Sequence, residues 1–222
     1  MAPIEPLERS DLPAAAAVLG RAFHTNPGLV AILKDDPPVE RLRLTTIGMG
    51  AFAGAVQRVG TAEVIKHDGK VVAVSLSYAP GAYPPSLATE LQIGAGLLRG
   101  GLRRLLRFGQ ADALMRKRHL REPHWYLWVL GVDPEQQGRG FGSELLRALS
   151  ARAEHDGVPC YLETDKPSSV QLYERHGYTV RDEAVVPRLD FRLWFMLRPR
   201  AVAGQGAVPS PLSNGRARGH SS

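Results

Sequence analysis

Two hydrophobic periods alternate along the chain. "HWYLWVLGV" (124–132) is almost continuously apolar and aromatic, and "VPCYLET" (158–164) nearly so, which predicts two buried strands. "AEVIKHDGKVVAVSLSY" (62–78) predicts a hairpin, two β-rich runs joined by Asp68-Gly69, a pair that tolerates positive φ. "PIEPL" predicts a short first strand, and "YTVRDEAVV" with "DFRLWFML" a final strand pair. The helical period appears over "SDLPAAAAVLGRAF", where Ser10 or Asp11 can cap the start and Pro13 suits the first turn, before Pro27 breaks the pattern. It returns over 38–59, with Leu42, Leu44, Ile47, Phe52 and Val56 expected inside, and over 87–120, interrupted by Gly94, Gly96, Gly100 and Gly101. Two further helices are expected, one from the glycine stretch near 140 to about His155 and one over "PSSVQLYERHG", closed by Gly177.

Strands and helices thus alternate in the middle of the chain, with hairpins at its edges, which implies an α/β fold with a mixed sheet. The 222 residues favour a single domain over 1–199. After Pro199 the aromatics vanish and Gly, Pro, Ala, Ser and Arg dominate, so 200–222 is expected to be a disordered tail. An apolar fraction of 44% supports a sizeable core. The net charge of +6 either leans towards anionic partners or reflects a generally basic, Arg-rich chain. The lone Cys160 can build neither a disulfide within the chain nor a cysteine-based zinc site. No apolar run reaches the ~18 residues of a membrane span. Glu5, Glu8 and Asp11 near the N-terminus do not fit a secretory signal, which leaves the cytoplasm as the expected compartment.

The chemistry concentrates in "PEQQGRGFGSELL" (134–146), where glycines crowd the turn between a buried strand and an amphipathic helix. A helix start offers free N–H groups and the positive end of the dipole, and bare backbone lets a phosphate approach them. The Gly-Lys-Ser/Thr ending of a P-loop is absent. Gly138 and Gly140 fit the first two places of a dinucleotide fingerprint, but Ser143 takes the third, and the turn lies past the middle of the chain. Read from Gln137, the spacing is Gln-x-x-Gly-x-Gly, over Gln137, Gly140 and Gly142.

That spacing resembles the pyrophosphate loop of the GCN5-related N-acetyltransferases. "LYERHGY" (172–178) is similar to a second segment of that family, Leu-Tyr-x-x-x-Gly-Phe/Tyr, in the expected order. "EPHWYLWVLGVDPEQQGRGFGSELL", "GVPCYLETDKPSSVQLYERHGYTV" and "RAFHTNP" look most like puromycin N-acetyltransferase and its relatives, with Ser169 standing where that subfamily typically has Asn. The resemblance implies a mostly antiparallel sheet flanked by helices and splayed between two central parallel strands.

It also implies that acetyl-CoA, as co-substrate and without a metal, lies between the "YLWVLGV" and "VPCYLET" strands. Gly131 fits a bulge that frees backbone near Leu130 and Val132 for the pantetheine arm. The pyrophosphate would meet Gln137, Gly138, Arg139, Gly140, Phe141, Gly142 and Ser143, with Ser169 nearby; the Arg139 side chain could instead face solvent. Tyr173 would serve the departing thiolate. A phenol titrates near ~10 and a thiol near ~8.5, so full proton transfer is uphill by about 2 kcal/mol, and hydrogen-bond donation is the better description.

Glu163 shares a strand face with Tyr161 and is a candidate base for the acceptor amine. His119, His124 and His176 are further candidates without a partner visible in sequence. Phe23, Asn26, Tyr78 and Tyr83 are expected around the acceptor by analogy. Cys160, inside an apolar strand, is expected to be an inert core thiol. The basic stretch 97–121 is either a solvated face or an anion-attracting one. The expected activity is acetyl transfer to a small-molecule amine of lowered basicity. Protein N-terminal or lysine acetylation, and acyl-CoA binding without turnover, stay open as alternatives, and no nucleic-acid module is recognised.

Overall fold

A computed structural model describes residues 3–98 and 101–200. Its strands are β1 (Ile4–Pro6), β2 (Thr61–His67), β3 (Lys70–Tyr78), β4 (Trp125–Val132), β5 (Cys160–Thr164), β6 (Thr179–Val185) and β7 (Arg192–Arg198). They form one seven-stranded sheet in the order β1-β2-β3-β4-β5-β7-β6. Among the described residues only β4 and β5, near its centre, run parallel. The helices are α1 (Leu12–Phe23), α2 (Pro27–Ile32), α3 (Pro38–Val59), α4 (Leu87–Leu98), α5 (Leu102–Arg118), α6 (Phe141–Asp156) and α7 (Pro167–Glu174). The mixed, mostly antiparallel architecture expected from sequence is the one observed.

The apolar character of β4 follows from cover on both faces. Tyr126 and Val129 join the core beneath α1 and α3, while Trp125 and Leu127 join the core beneath α6. β5 divides likewise, with Tyr161 on the first side and Cys160 and Leu162 on the second. Burial pushes the Cys160 thiol up to about 11, so it stays an inert packing group.

The sheet opens where these strands part. Parallel pairing of β4 and β5 covers Trp125↔Cys160, Tyr126↔Tyr161 and Leu127↔Leu162, and then stops. On the other side of β4, Leu76 pairs Val129 and Ser77 pairs Leu127, so Trp128 is the extra residue of a β-bulge. The bulge expected at Gly131 therefore lies at Trp128; Gly131 pairs in register with Val74. What requires glycine there is α1: a Cβ would stand 2.6 Å from Leu19 Cδ2 and 3.1 Å from Phe23 Cε2.

Three other local expectations change. Pro27 not only ends the pattern of α1 but opens α2 at its first turn, where its missing N–H costs nothing. Asp11 precedes α1 but makes no capping bond to it; its carboxylate pairs with Lys66 at 3.1 Å. Part of the basic stretch is tied down: Arg104 pairs with Asp36, Arg107 with Asp35, Arg116 with Glu90 and Asp112, and Arg118 with Asp182. These contacts fasten α5 to α4, to the α2–α3 connection and to β6. The expected tail lies outside the described residues from 201 onward. Among the described residues no helix is long and apolar enough to cross a membrane, and no group of three or more His, Cys, Asp or Glu is placed to hold a metal.

Candidate active site

One cleft, with a volume of about 590 Å³, runs through the gap between β4 and β5. It begins at the start of α6. Asp133 pairs with Arg21 of α1 and accepts the Glu135 N–H at 3.3 Å, shaping the turn that leaves β4. Gln137 Nε2 donates to Val132 O at 3.2 Å and closes the strand end. Gly138 (φ 79°) and Gly140 (φ 90°) then adopt left-handed backbone that side chains resist. A Cβ at either would have nothing within 4 Å, so the space beside the loop is open. The first bond of the α6 ladder is Glu144 N to Gly140 O, at 3.0 Å. The N–H groups of Phe141, Gly142 and Ser143 lie ahead of it and have no acceptor within the helix.

This end of the cleft gathers Leu130, Val132, Gln137, Gly138, Gly140, Phe141, Gly142, Ser143, Ser169 and Tyr173. Arg139 stands outside it: exposed, its Nη1 donates to Gln136 Oε1 at 2.8 Å. His176, which sequence could not connect to the loop, has Nε2 2.9 Å from Ser143 Oγ. Burial, then Arg147, Arg175 and Arg198, lower its pKa and favour the neutral ring. Tyr173 lies on α7, buried against Tyr178, and its hydroxyl makes no hydrogen bond to the described residues. Burial, with a smaller contribution from the charge of Asp165, pushes its phenol above the usual range.

The far end is walled by side chains from distant segments. Phe23 and Asn26 come from the α1–α2 corner, Phe52 from α3, Phe108 and Met115 from α5, Trp128 from β4 and Phe191 from the approach to β7. Phe52 packs at a tilt 4.5 Å from Trp128 and lies 5.8 Å from Phe108. Tyr78 and Tyr83 stand behind this wall rather than in it, Tyr83 packing on Tyr126 at 4.7 Å.

Two carboxylates face this apolar space. Glu163 emerges on the Tyr161 side of β5, as its alternation predicts, with its side chain only 4% exposed. Asp165 is the residue that sequence reasoning missed. Its Oδ2 accepts from Gly28 N at 2.6 Å and its Oδ1 from Asn26 Nδ2 at 3.4 Å, which pins the α1–α2 corner to the end of β5. Burial raises the Asp165 carboxyl despite these bonds. A Cβ on Gly28 would come within 2.8 Å of Asp165 Oδ2, so the pin needs glycine. Only the small Asn-Pro-Gly corner hinted at it, and the partners are 137 residues apart.

The Acetyltransferase (GNAT) family model matches residues 62–178, just over half of the chain. A mycothiol acetyltransferase from Clavibacter sepedonicus is 45% identical over 62 residues, 27% of this chain and 20% of that protein. An uncharacterized N-acetyltransferase from Schizosaccharomyces pombe is 32% identical over 75 residues, 30% of each chain. The chain thus spans less than a third of the length of these relatives. In overall fold it is similar to a solved histone acetyltransferase and related acetyltransferase from Corynebacterium glutamicum, with a TM-score of 0.68 at 22% identity over 92% of this chain and 99% of that one. With its glycine turn ahead of α6, its splayed parallel pair and this match across both, the chain belongs to the GNAT acetyltransferase family.

Proposed function

We propose that this protein transfers the acetyl group of acetyl-CoA to the amine of a small molecule with an aromatic or otherwise apolar body, both substrates being bound together. The observation that carries this reading is the continuity of the cleft, from the first turn of α6, with its free amides, to an aromatic wall with buried carboxylates. Relatives' names point to both mycothiol and histone, so names do not choose the acceptor. The walls favour a compact apolar group over an extended polar peptide. Resemblance to the puromycin-type subfamily agrees with an acceptor of this kind.

The residues fit the donor. The amides of Phe141, Gly142 and Ser143, beside the bare backbone of Gly138 and Gly140, suit a pyrophosphate. Beyond Leu127 the edge of β4 facing β5 is unpaired, with Leu130 and Val132 offering backbone groups to an extended arm. Ser169 on α7 borders the same space, and Arg139 contributes charge at the surface. Acetyl-CoA would supply an activated carbonyl carbon and a thiolate leaving group. Tyr173, kept protonated, donates a hydrogen bond to charge developing at sulfur. Glu163 takes the proton that the amine loses as its nitrogen bonds to carbon. A lysine-like amine titrating near ~10.4 is about 0.04% neutral at pH 7, whereas one near ~8 is roughly 10% neutral. A single carboxylate therefore suits the less basic amine.

Thiol release from acetyl-CoA, measured with an arylalkylamine, puromycin, an amino-acid amide and a lysine peptide, tests the reading. The aromatic amines of lowered basicity should give the highest kcat/KM. A preference for the lysine peptide would move the protein to protein acetylation, and acetyl-CoA binding without thiol release across a broad amine panel would favour a regulator.

A further inference from the structure

Behind Glu163 lies a row of buried groups that the proposed transfer does not yet use. Glu163 Oε1 and His119 Nδ1 face each other at 3.5 Å, and both atoms are buried without a hydrogen-bond partner. His119 Nε2 is 3.1 Å from His124 Nε2, and His124 Nδ1 is 2.7 Å from Glu122 O. Aromatic rings hold this row from the sides, His119 lying 4.5 Å from Tyr83 and edge-on to Tyr126 at 4.7 Å and to Tyr161 at 4.9 Å.

The protons can be placed by elimination. A backbone carbonyl only accepts, so His124 Nδ1 carries hydrogen. Burial lowers the His124 pKa and favours the neutral ring, whose Nε2 is then an acceptor. The His119 Nε2 must then be the donor in the contact between the rings. In neutral His119 this leaves Nδ1 as a lone pair directed at Glu163 Oε1. Two acceptors thus face one another across 3.5 Å, and one proton between them would satisfy both.

We propose that Glu163 and His119 act as one proton-holding pair, with His124 fixing the His119 tautomer. This rests on Glu163 being the base in the proposed transfer. As the amine nitrogen bonds to the acetyl carbon, the C–S bond breaks and CoA leaves as its thiolate; the nitrogen gives up one proton to Glu163, where it settles between Oε1 and Nδ1. The pair changes from one negative charge to none, and the proton returns to water through the emptied cleft after product leaves. Glu163 is the catalytic residue; His119 is a positioning residue that acts through it. The other titratable groups facing the pair are Tyr83, Tyr126 and Tyr161. Burial first, and then the charge of Glu163 itself at Tyr126 and Tyr161, hold all three phenols above their usual range, so they remain neutral while the pair loads and unloads. Arg116 lies 6.0 Å over the Tyr83 ring with Asp112 and Glu90 as partners, and Arg181 is a weaker influence at Tyr161.

The test compares His119→Gln, His119→Ala and Glu163→Gln in the full chain, with an arylalkylamine and acetyl-CoA, from pH 5 to 9 (values that roughly bracket general-base titration). In His119→Gln the amide N–H can donate permanently to the carboxylate, which favours its charged form. The acid limb of kcat/KM should move to lower pH by at least about half a unit, and kcat should fall about 10-fold or more, with acetyl-CoA affinity and Tm unchanged. His119→Ala should lose rate and recover part of it with added imidazole. A uniform rate loss with an unmoved limb and no imidazole rescue would overturn the pair, as would wild-type kinetics in His119→Gln. If Glu163→Gln alone is inactive under that outcome, the base assignment stands and only the pairing falls; if Glu163→Gln keeps the wild-type rate, both fall.

Discussion

At the α6 end of the cleft the groups proposed to bind are mainly backbone: the amides of Phe141, Gly142 and Ser143, the glycine turn before them and the unpaired edge of β4. At the opposite end they are side chains from the α1–α2 corner, α3, α5, β4 and the approach to β7. A backbone site depends on chain geometry and on leaving side chains out, so a local motif suffices to encode it. A side-chain site depends on which elements meet, and its specificity changes by substitution without disturbing the loop. One family fold can in this way keep its donor while varying its acceptor.

The sharpest way to break this division is at Gly140. Its φ of 90° and the open space beside it mean that Gly140→Val strains the turn and fills the approach to the α6 amides. Acetyl-CoA affinity should fall at least about 100-fold, or about 2.7 kcal/mol, with Tm within a few degrees of wild type. Calorimetric titration checks this, and unchanged affinity would show that the loop does not bind the donor.

Tyr173→Phe should reduce kcat by roughly 10- to 1000-fold, or about 1.4–4 kcal/mol, with a much smaller change in acetyl-CoA affinity. Because the folded phenol is raised above its ordinary 10.0, the donor proton is present at every lower pH. Its loss should therefore add no basic limb to the wild-type profile below about pH 10. A smaller effect is expected from Phe108→Ala on the acceptor wall. It should raise KM for an arylalkylamine about 10-fold, or about 1.4 kcal/mol, while KM for acetyl-CoA stays unchanged. Equal changes in both constants would mean that the two ends are not separable.

The same division explains what could be read from the sequence. The turn Gln137–Gly142, its strand and its helix are contiguous, so spacing alone revealed them. The apolar runs of β4 and β5 carried the sheet centre, since burial on both faces leaves little room for polar residues. Trp128 could not be recognised as the bulge, because a bulge is a mismatch with β3 and has no mark of its own in β4. Gly131 attracted that expectation, yet it answers to Leu19 of α1, a contact between distant segments. The pin from Asp165 to Gly28 and the facing of His119 and Glu163 are of the same kind. Each needs the sheet and helices assembled before its partners meet.

Glu163→Gln tests the separation most directly, with acetyl-CoA affinity and amine acetylation measured on the same preparation. The substitution keeps the shape of a 4% exposed side chain and removes its charge. Acetyl-CoA should bind as it does to wild type, while kcat falls about 100-fold or more. Weakened acetyl-CoA binding in the folded variant, or acetylation at the wild-type rate, would contradict a backbone donor site joined to a side-chain acceptor site with Glu163 as its base.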